Sequence, residues 1–110
     1  MTALFKGWRL GPNTAFPVCV VADARSLQPW PSLRLANHSP DGFNWGYGGS
    51  GPAQLALGIL LDHTGDAKRA LAHYQPFKSA FVAGWGDRWE LTGEQIDAWL
   101  ATREVRDERA

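Results

Sequence analysis

Pro52-Ala53-Gln54-Leu55-Ala56-Leu57-Gly58-Ile59-Leu60-Leu61-Asp62-His63-Thr64-Gly65 is the stretch around which the rest of the chain must organise itself. Pro52 suits a first helical position, where its missing N–H costs nothing, and Gly65 suits a left-handed stop after Thr64. Between them the run is apolar almost all round. Gln54, Gly58 and Asp62, spaced by four, make its one polar or small stripe. Such a helix belongs at the centre of a domain, covered on more than one side, with Gly58 as a place of close backbone approach.

Upstream of it the chain reads as strands. Leu4-Phe5-Lys6-Gly7-Trp8-Arg9-Leu10 is rich in strand formers, Gly11-Pro12-Asn13 is turn chemistry, and Phe16 through Val21 is a β-branched run around Cys19. These predict a β-hairpin. Ala22-Asp23-Ala24-Arg25-Ser26 reads as a second turn, Pro29-Trp30-Pro31 cannot continue a ladder, and Leu33-Arg34-Leu35 suits a short third strand. About three short strands with one apolar face cannot bury that face alone and need helices to cover it.

Downstream, Asp66 is a good N-cap for a second helix running towards Ala83. Ala70, Tyr74, Phe77, Phe81 and Trp85 keep an apolar spacing of three or four through Pro76, which predicts a kinked helix. Thr92 with Gln95 forms a capping box for a last helix, with Leu91 stapled against Ile96. Ile96, Trp99 and Leu100 then face the core, and the charged tail 104–110 is expected to fray. The fold class is α+β: a small antiparallel sheet of about three strands at the N-terminus packed against three C-terminal helices.

A chain of 110 residues with 45% hydrophobic content makes one domain, 1–110, that needs no staple. A lone Cys19 makes neither an internal disulfide nor a metal cage, and no apolar run approaches the roughly 18 residues of a membrane helix. Without a charged-then-apolar leader, the expected location is the cytoplasm, with no membrane partner. Eleven basic residues balance eleven acidic ones. The balance is uneven along the chain, since Lys6, Arg9, Arg25 and Arg34 face only Asp23 in residues 1–40. Four dispersed cations are far from the basic stripe of a duplex nucleic-acid binder.

Gly46-Tyr47-Gly48-Gly49-Ser50-Gly51 matches the dinucleotide pattern G-x-G-x-x-G, but helices follow where that motif needs a strand, and Leu71 stands where it needs an acid. Pro52 excludes a P-loop. A glycine run ending at a helix start can still hold a phosphate or carboxylate through free N–H groups, with Arg9, Arg25 or Arg34 as counter-charge. The same glycines can serve positive φ and close packing beneath Trp45 and Tyr47, with Ser50 or Gly51 as the cap. Among the six tryptophans, Trp8, Trp85, Trp89 and Trp99 suit core or rim, while Trp30 and Trp45 suit an exposed recognition surface. The candidate ligand- or partner-binding residues are thus Arg34, His38, Trp45, Tyr47, Gly48, Gly49, Ser50 and Gly51. His38, Asp41, Ser50 and Tyr47 could also be a base, an orienting group and a nucleophile, although His38-Ser39-Pro40-Asp41-Gly42 reads equally well as a turn. His63 and His73, ten apart, do not make a metal site, and no cofactor is expected.

The stretch Asn37-His38-Ser39-Pro40-Asp41-Gly42-Phe43-Asn44-Trp45-Gly46-Tyr47-Gly48-Gly49-Ser50-Gly51-Pro52-Ala53-Gln54-Leu55-Ala56-Leu57 strongly resembles a family of bacterial, plasmid and phage proteins, domain of unknown function 6166. Phe5-Lys6-Gly7-Trp8-Arg9, Tyr74-Gln75-Pro76-Phe77-Lys78 and Trp89-Glu90-Leu91-Thr92 extend the likeness over nearly the whole domain. It carries no catalytic residues to transfer. What the resemblance implies is context: small proteins of phages and mobile elements are often inhibitors of bacterial immune systems, anti-CRISPR proteins included, and work by binding. Occlusion of a protein or nucleoprotein effector is the preferred expectation. Sequestration of a phosphorylated small molecule or nucleotide signal at the glycine loop is the alternative, and a small hydrolase using His38 and Ser50 is a third. Oligomeric state stays open; the glycine loop could pair in a homodimer, but no heptad repeat forces one.

Overall fold

The computed structural model describes residues 3–13, 15–40 and 42–109, with side chains as far as Glu104. The hairpin forms as its sequence predicts. β1 (Leu4–Arg9) pairs antiparallel with β2 (Val18–Ala22), Phe5 opposite Ala22 and Trp8 opposite Cys19. At the end of the pair away from the hairpin turn, Asp23 adopts φ +56°, its carboxylate accepting from Leu4 N–H at 2.9 Å. The turn is confined to Asp23 and Ala24, so that β3 (Arg25–Ser26) returns beside β2.

Leu33-Arg34-Leu35 is not a strand. Residues Trp30–Leu33 form α1, a single helical turn that Pro31 suits by its fixed φ, and Leu35 N–H closes back on Ser32 C=O at 3.0 Å. The sheet gains a fourth strand from further along: β4 (Arg88–Thr92) pairs with β1, giving the order β3-β2-β1-β4. Its burial alternates, Trp89 and Leu91 inward, Arg88 and Glu90 outward, which is the period-two signature of a half-covered strand.

The predicted central helix is α2 (Ser50–Thr64), and residues 51–60 are all buried. It begins two residues ahead of Pro52, behind Gly49, and no side chain caps it; Ser50 is its first residue and not its cap. Gly65 ends it at φ +64°, as expected. Gln54 is fully buried yet satisfied: its Oε1 accepts from the N–H groups of His38 (2.8 Å) and Ser39 (3.1 Å), and its Nε2 donates to Ser32 Oγ (2.8 Å) and Ala36 C=O (3.1 Å). One amide thereby ties residues 32–39 to the central helix. Gly58 makes room for the Phe43 ring, not for a backbone.

α3 (Ala67–Ala80) is capped by Asp66, which accepts from Arg69 N–H at 3.1 Å, and runs on through Pro76 to a 3₁₀ turn at Val82–Gly84. The reciprocal box at Thr92 and Gln95 opens α4 (Gly93–Arg109), with Leu91 and Ile96 both buried. Phe5, Leu55, Ile59, Leu60, Phe77 and Leu100 fill the core between sheet and helices. The expected fraying of 104–110 falls largely outside the described side chains. Glu104 itself reaches Arg69 of α3, with two bonds of 2.7 Å. No described helix is long and apolar enough to cross a membrane.

Candidate functional site

The glycine loop is built from Arg9 outward. As the last residue of β1, Arg9 faces inward in register with Phe5 and Gly7, and its side chain is only 4% exposed. Its guanidinium donates to Asn44 Oδ1 (2.6 Å) and Trp45 C=O (2.8 Å), lies 4.6 Å above the Trp45 ring and stands 3.4 Å from Asp87. A buried cation with these partners is satisfied. The next residues are pinned from the other side, Trp45 Nε1 donating to Gly86 C=O (2.6 Å) and Gly46 N–H to Val82 C=O (3.0 Å). Gly46 sits at φ +86°, and a Cβ there would lie 3.0 Å from the Trp85 carbonyl. The loop is therefore anchored at Trp45 and Gly46 before it turns outward.

Trp45 is wholly buried, against its expected place on a recognition surface. Arg9 covers one face of its ring and Trp89 meets its edge at 5.6 Å, so the indole plugs the space beneath the loop. Trp89 in turn stacks on Trp85, with ring centroids 3.9 Å apart. Trp30 is exposed, as its sequence context suggested.

Tyr47 is the aromatic residue that the loop presents. It is 41% exposed, and its ring lies across the start of α2: a Cβ on Gly49 would come within 2.6 Å of Tyr47 Cε2, and one on Gly51 within 3.0 Å of Tyr47 Oη. Gly49 makes room for that ring, while Gly51 makes room first for Asn44, whose Cβ a side chain there would meet at 2.7 Å. Gly48 has open space around it and no positive φ, so it is not the strained position of the loop.

Tyr47, Ser50 and Gly51, with Gly42, Phe43 and Asn44, form one wall of a groove of about 720 Å³; Phe16 and residues of β2 and β3 form the other. The described residues that line it include no Lys, Arg, His, Asp or Glu. Three arginines expected near an anion are engaged elsewhere. Arg9 holds the loop, Arg25 makes two 2.8 Å bonds to Asp62 of α2, and Arg34 lies 4.5 Å above the Trp30 ring on α1.

His38 turns away from Ser50. Its Nε2 is 2.6 Å from Tyr74 Oη on α3, while Ser50 faces the groove, and no hydrogen bond joins the two among the described residues. Nucleophilic chemistry needs a base within reach of the hydroxyl, and His38 does not stand there. Asp41 lies outside the described residues. His63 pairs with Asp97 at 2.8 Å, His73 stands beside Glu104 at 3.8 Å, and no described group of three His, Cys, Asp or Glu could hold a metal ion. The Arg69 guanidinium bonded to Glu104 holds that carboxyl below its ordinary range, and the same bond raises Arg69.

Two features of the site escape a sequence reading. Gln54 shows itself only as a lone amide in an apolar run, and the open stretch of β2 beside the groove is signalled only by the prolines that cut β3 short.

A one-sided antiparallel sheet wrapped on a buried helix, with a braced glycine loop beside an uncharged groove, defines an α+β domain with a preformed surface cleft. Residues 5–102 match the model of a family of unknown function, DUF6166, and the chain belongs to that family. Neither a curated protein nor a solved structure matches the chain.

Proposed function

We propose that this chain is a non-enzymatic binding protein that recognises a protein partner through the groove between β2 and the 46–51 loop. It acts by occluding the partner's surface, the mode of a small inhibitor of a bacterial immune effector. The observation that carries this reading is the groove itself: uncharged among its described residues, edged by the exposed rings of Phe16 and Tyr47, and held open by a loop braced through Arg9. Preorganised, uncharged walls that mix aromatic rings with polar side chains such as Gln28, Asn44 and Ser50 suit a protein segment. A phosphorylated ligand would find no cation among them, and a helix end alone supplies only about 0.3–1 kcal/mol.

The test is capture from a host lysate with the unmodified chain, Tyr47→Ala and Arg34→Ala as baits, read by protein and small-molecule mass spectrometry. A protein retained by the unmodified chain and by Arg34→Ala but lost by Tyr47→Ala is the expected result. Loss with Arg34→Ala alone would move the contact to α1, and a phosphorylated small molecule as the sole catch would restore the anion reading. Inhibition of the captured partner saturates at one equivalent if the chain occludes it, whereas an enzyme acts far below that dose.

A further inference from the structure

β2 is paired along its whole length on one side and along only part of it on the other. Against β1, the bonds of Leu10 N–H to Pro17 C=O (2.9 Å) and Asp23 N–H to Leu4 C=O (2.7 Å) set the alternation. Cys19 and Val21 therefore exchange hydrogen bonds with Trp8 and Lys6, and the backbone groups of Val18 and Val20 point away from β1. On that far side β3 meets β2 only at Val21 and Ala22, with one more bond from Leu27 N–H to Val20 C=O (2.9 Å). Pro29 and Pro31 then turn the chain into α1. Among the described residues, Val18 N–H, Val18 C=O and Val20 N–H are left without a partner.

This unpaired edge opens into the same groove, since Val18, Cys19 and Val20 line it together with Phe16, Leu27 and Phe43. We propose that the groove takes an extended, uncharged segment of the partner polypeptide, added as a further strand on the free edge of β2; this rests on the groove being the partner-binding surface. Donors and acceptors repeating along a strand edge are matched by another extended backbone, and by few small ligands. Alternate side chains of the added strand would meet Phe16, Leu27 and Phe43. A charged side chain would enter without a counter-charge among the described lining residues and pay its desolvation. The groove's volume of about 720 Å³ suits a short peptide segment.

The experiment pans a displayed library of random linear octapeptides against the full chain and uses the selected peptide, resynthesised, as the probe. Val18→Pro is expected to weaken its binding about tenfold or more, equivalent to about 1.4 kcal/mol. That substitution removes only the outward N–H, because Val18 stands opposite Arg9 in a pair that exchanges no bond with β1. Since proline can disturb the strand, amide exchange on the unmodified chain is the second measurement. The Val18 amide, on the less buried part of the strand, should exchange quickly in the free chain and slow at least about tenfold when the peptide binds. N-methylation along the peptide should weaken binding at every second residue. Protection falling on Ser50 and Gly51 instead, or a Val18→Pro chain that binds normally, overturns strand addition. Protection of Val18 in the free chain, at concentrations where it sediments as a dimer, gives the edge to a second copy and also overturns it. If no peptide is selected while capture still depends on Tyr47, strand addition fails and the groove reading stands; if Tyr47 proves irrelevant to capture, the groove reading itself fails.

Discussion

At the scale of single residues, the glycines of the loop separate by what surrounds each. Gly46 combines φ +86° with a carbonyl 3.0 Å from where a Cβ would sit, whereas Gly48 has ordinary φ and nothing within 4 Å. Gly46→Ala should therefore lower stability by about 1–3 kcal/mol, while Gly48→Ala should stay within about 0.5 kcal/mol, both read from urea midpoints at constant slope. Equal effects would mean that the loop is not braced at Gly46. The sequence makes all of these glycines look alike, because a glycine records that a side chain is excluded without recording by what. Trp45 departs from its expected exposure for a related reason. Its burial depends on Arg9, 36 positions away, and no local pattern signals that a guanidinium will cover an indole.

Among the elements, those set by neighbours in sequence were legible and those set by distant pairing were not. Asp66, Gly65 and the Thr92–Gln95 box act within one helical turn, and each holds its place in the structure. β4 joins the sheet because β1 offers it an edge; the alternation of Arg88, Trp89, Glu90 and Leu91 is a strand signal in itself, but it does not say which strand it pairs with. Leu33-Arg34-Leu35 alternates like a strand, yet its lead-in Pro29-Trp30-Pro31 favours a helical turn, and Ser32 Oγ fastens that turn to Pro29 C=O at 2.8 Å. The contact between α3 and α4 adds a pH dependence. Glu104 is depressed by its bond to Arg69, so the folded chain takes up that proton less readily than the unfolded one. The pair's stabilisation is full above the unfolded carboxylate value of about 4.3 and is lost as pH falls through the lower folded value. Both side chains are more than a third exposed, at 37% and 36%, so solvent screening limits the effect to about 0.2–1 kcal/mol. Between pH ~6 and ~3, Glu104→Gln should lose less stability than the unmodified chain by about that amount. Parallel losses in the two would show that the pair contributes nothing.

For the molecule as a whole, the α+β class and the buried central helix were legible because ten consecutive buried positions of α2 leave little choice of architecture. The loop was legible as a place of interest, but its chemistry was not, since that depends on which charges the fold brings to it. A formal net charge of zero conceals a basic first third, and the fold spends those cations internally: Arg9 on the loop, Arg25 on Asp62, Lys6 beside Glu90 at 3.6 Å. The groove is consequently neutral among its described residues, and binding there should respond weakly to salt. Raising ionic strength from about 0.1 to about 1 M shortens the screening length from about 10 to about 3 Å, enough to remove most attraction between a surface cation and a phosphate. Affinity for the captured partner, measured by titration calorimetry across that range, should change by less than about threefold and should strengthen slightly if apolar burial dominates. A loss of about tenfold or more would mean that charge drives the association, and would move the contact from the groove towards the exposed Arg34 at the end of α1.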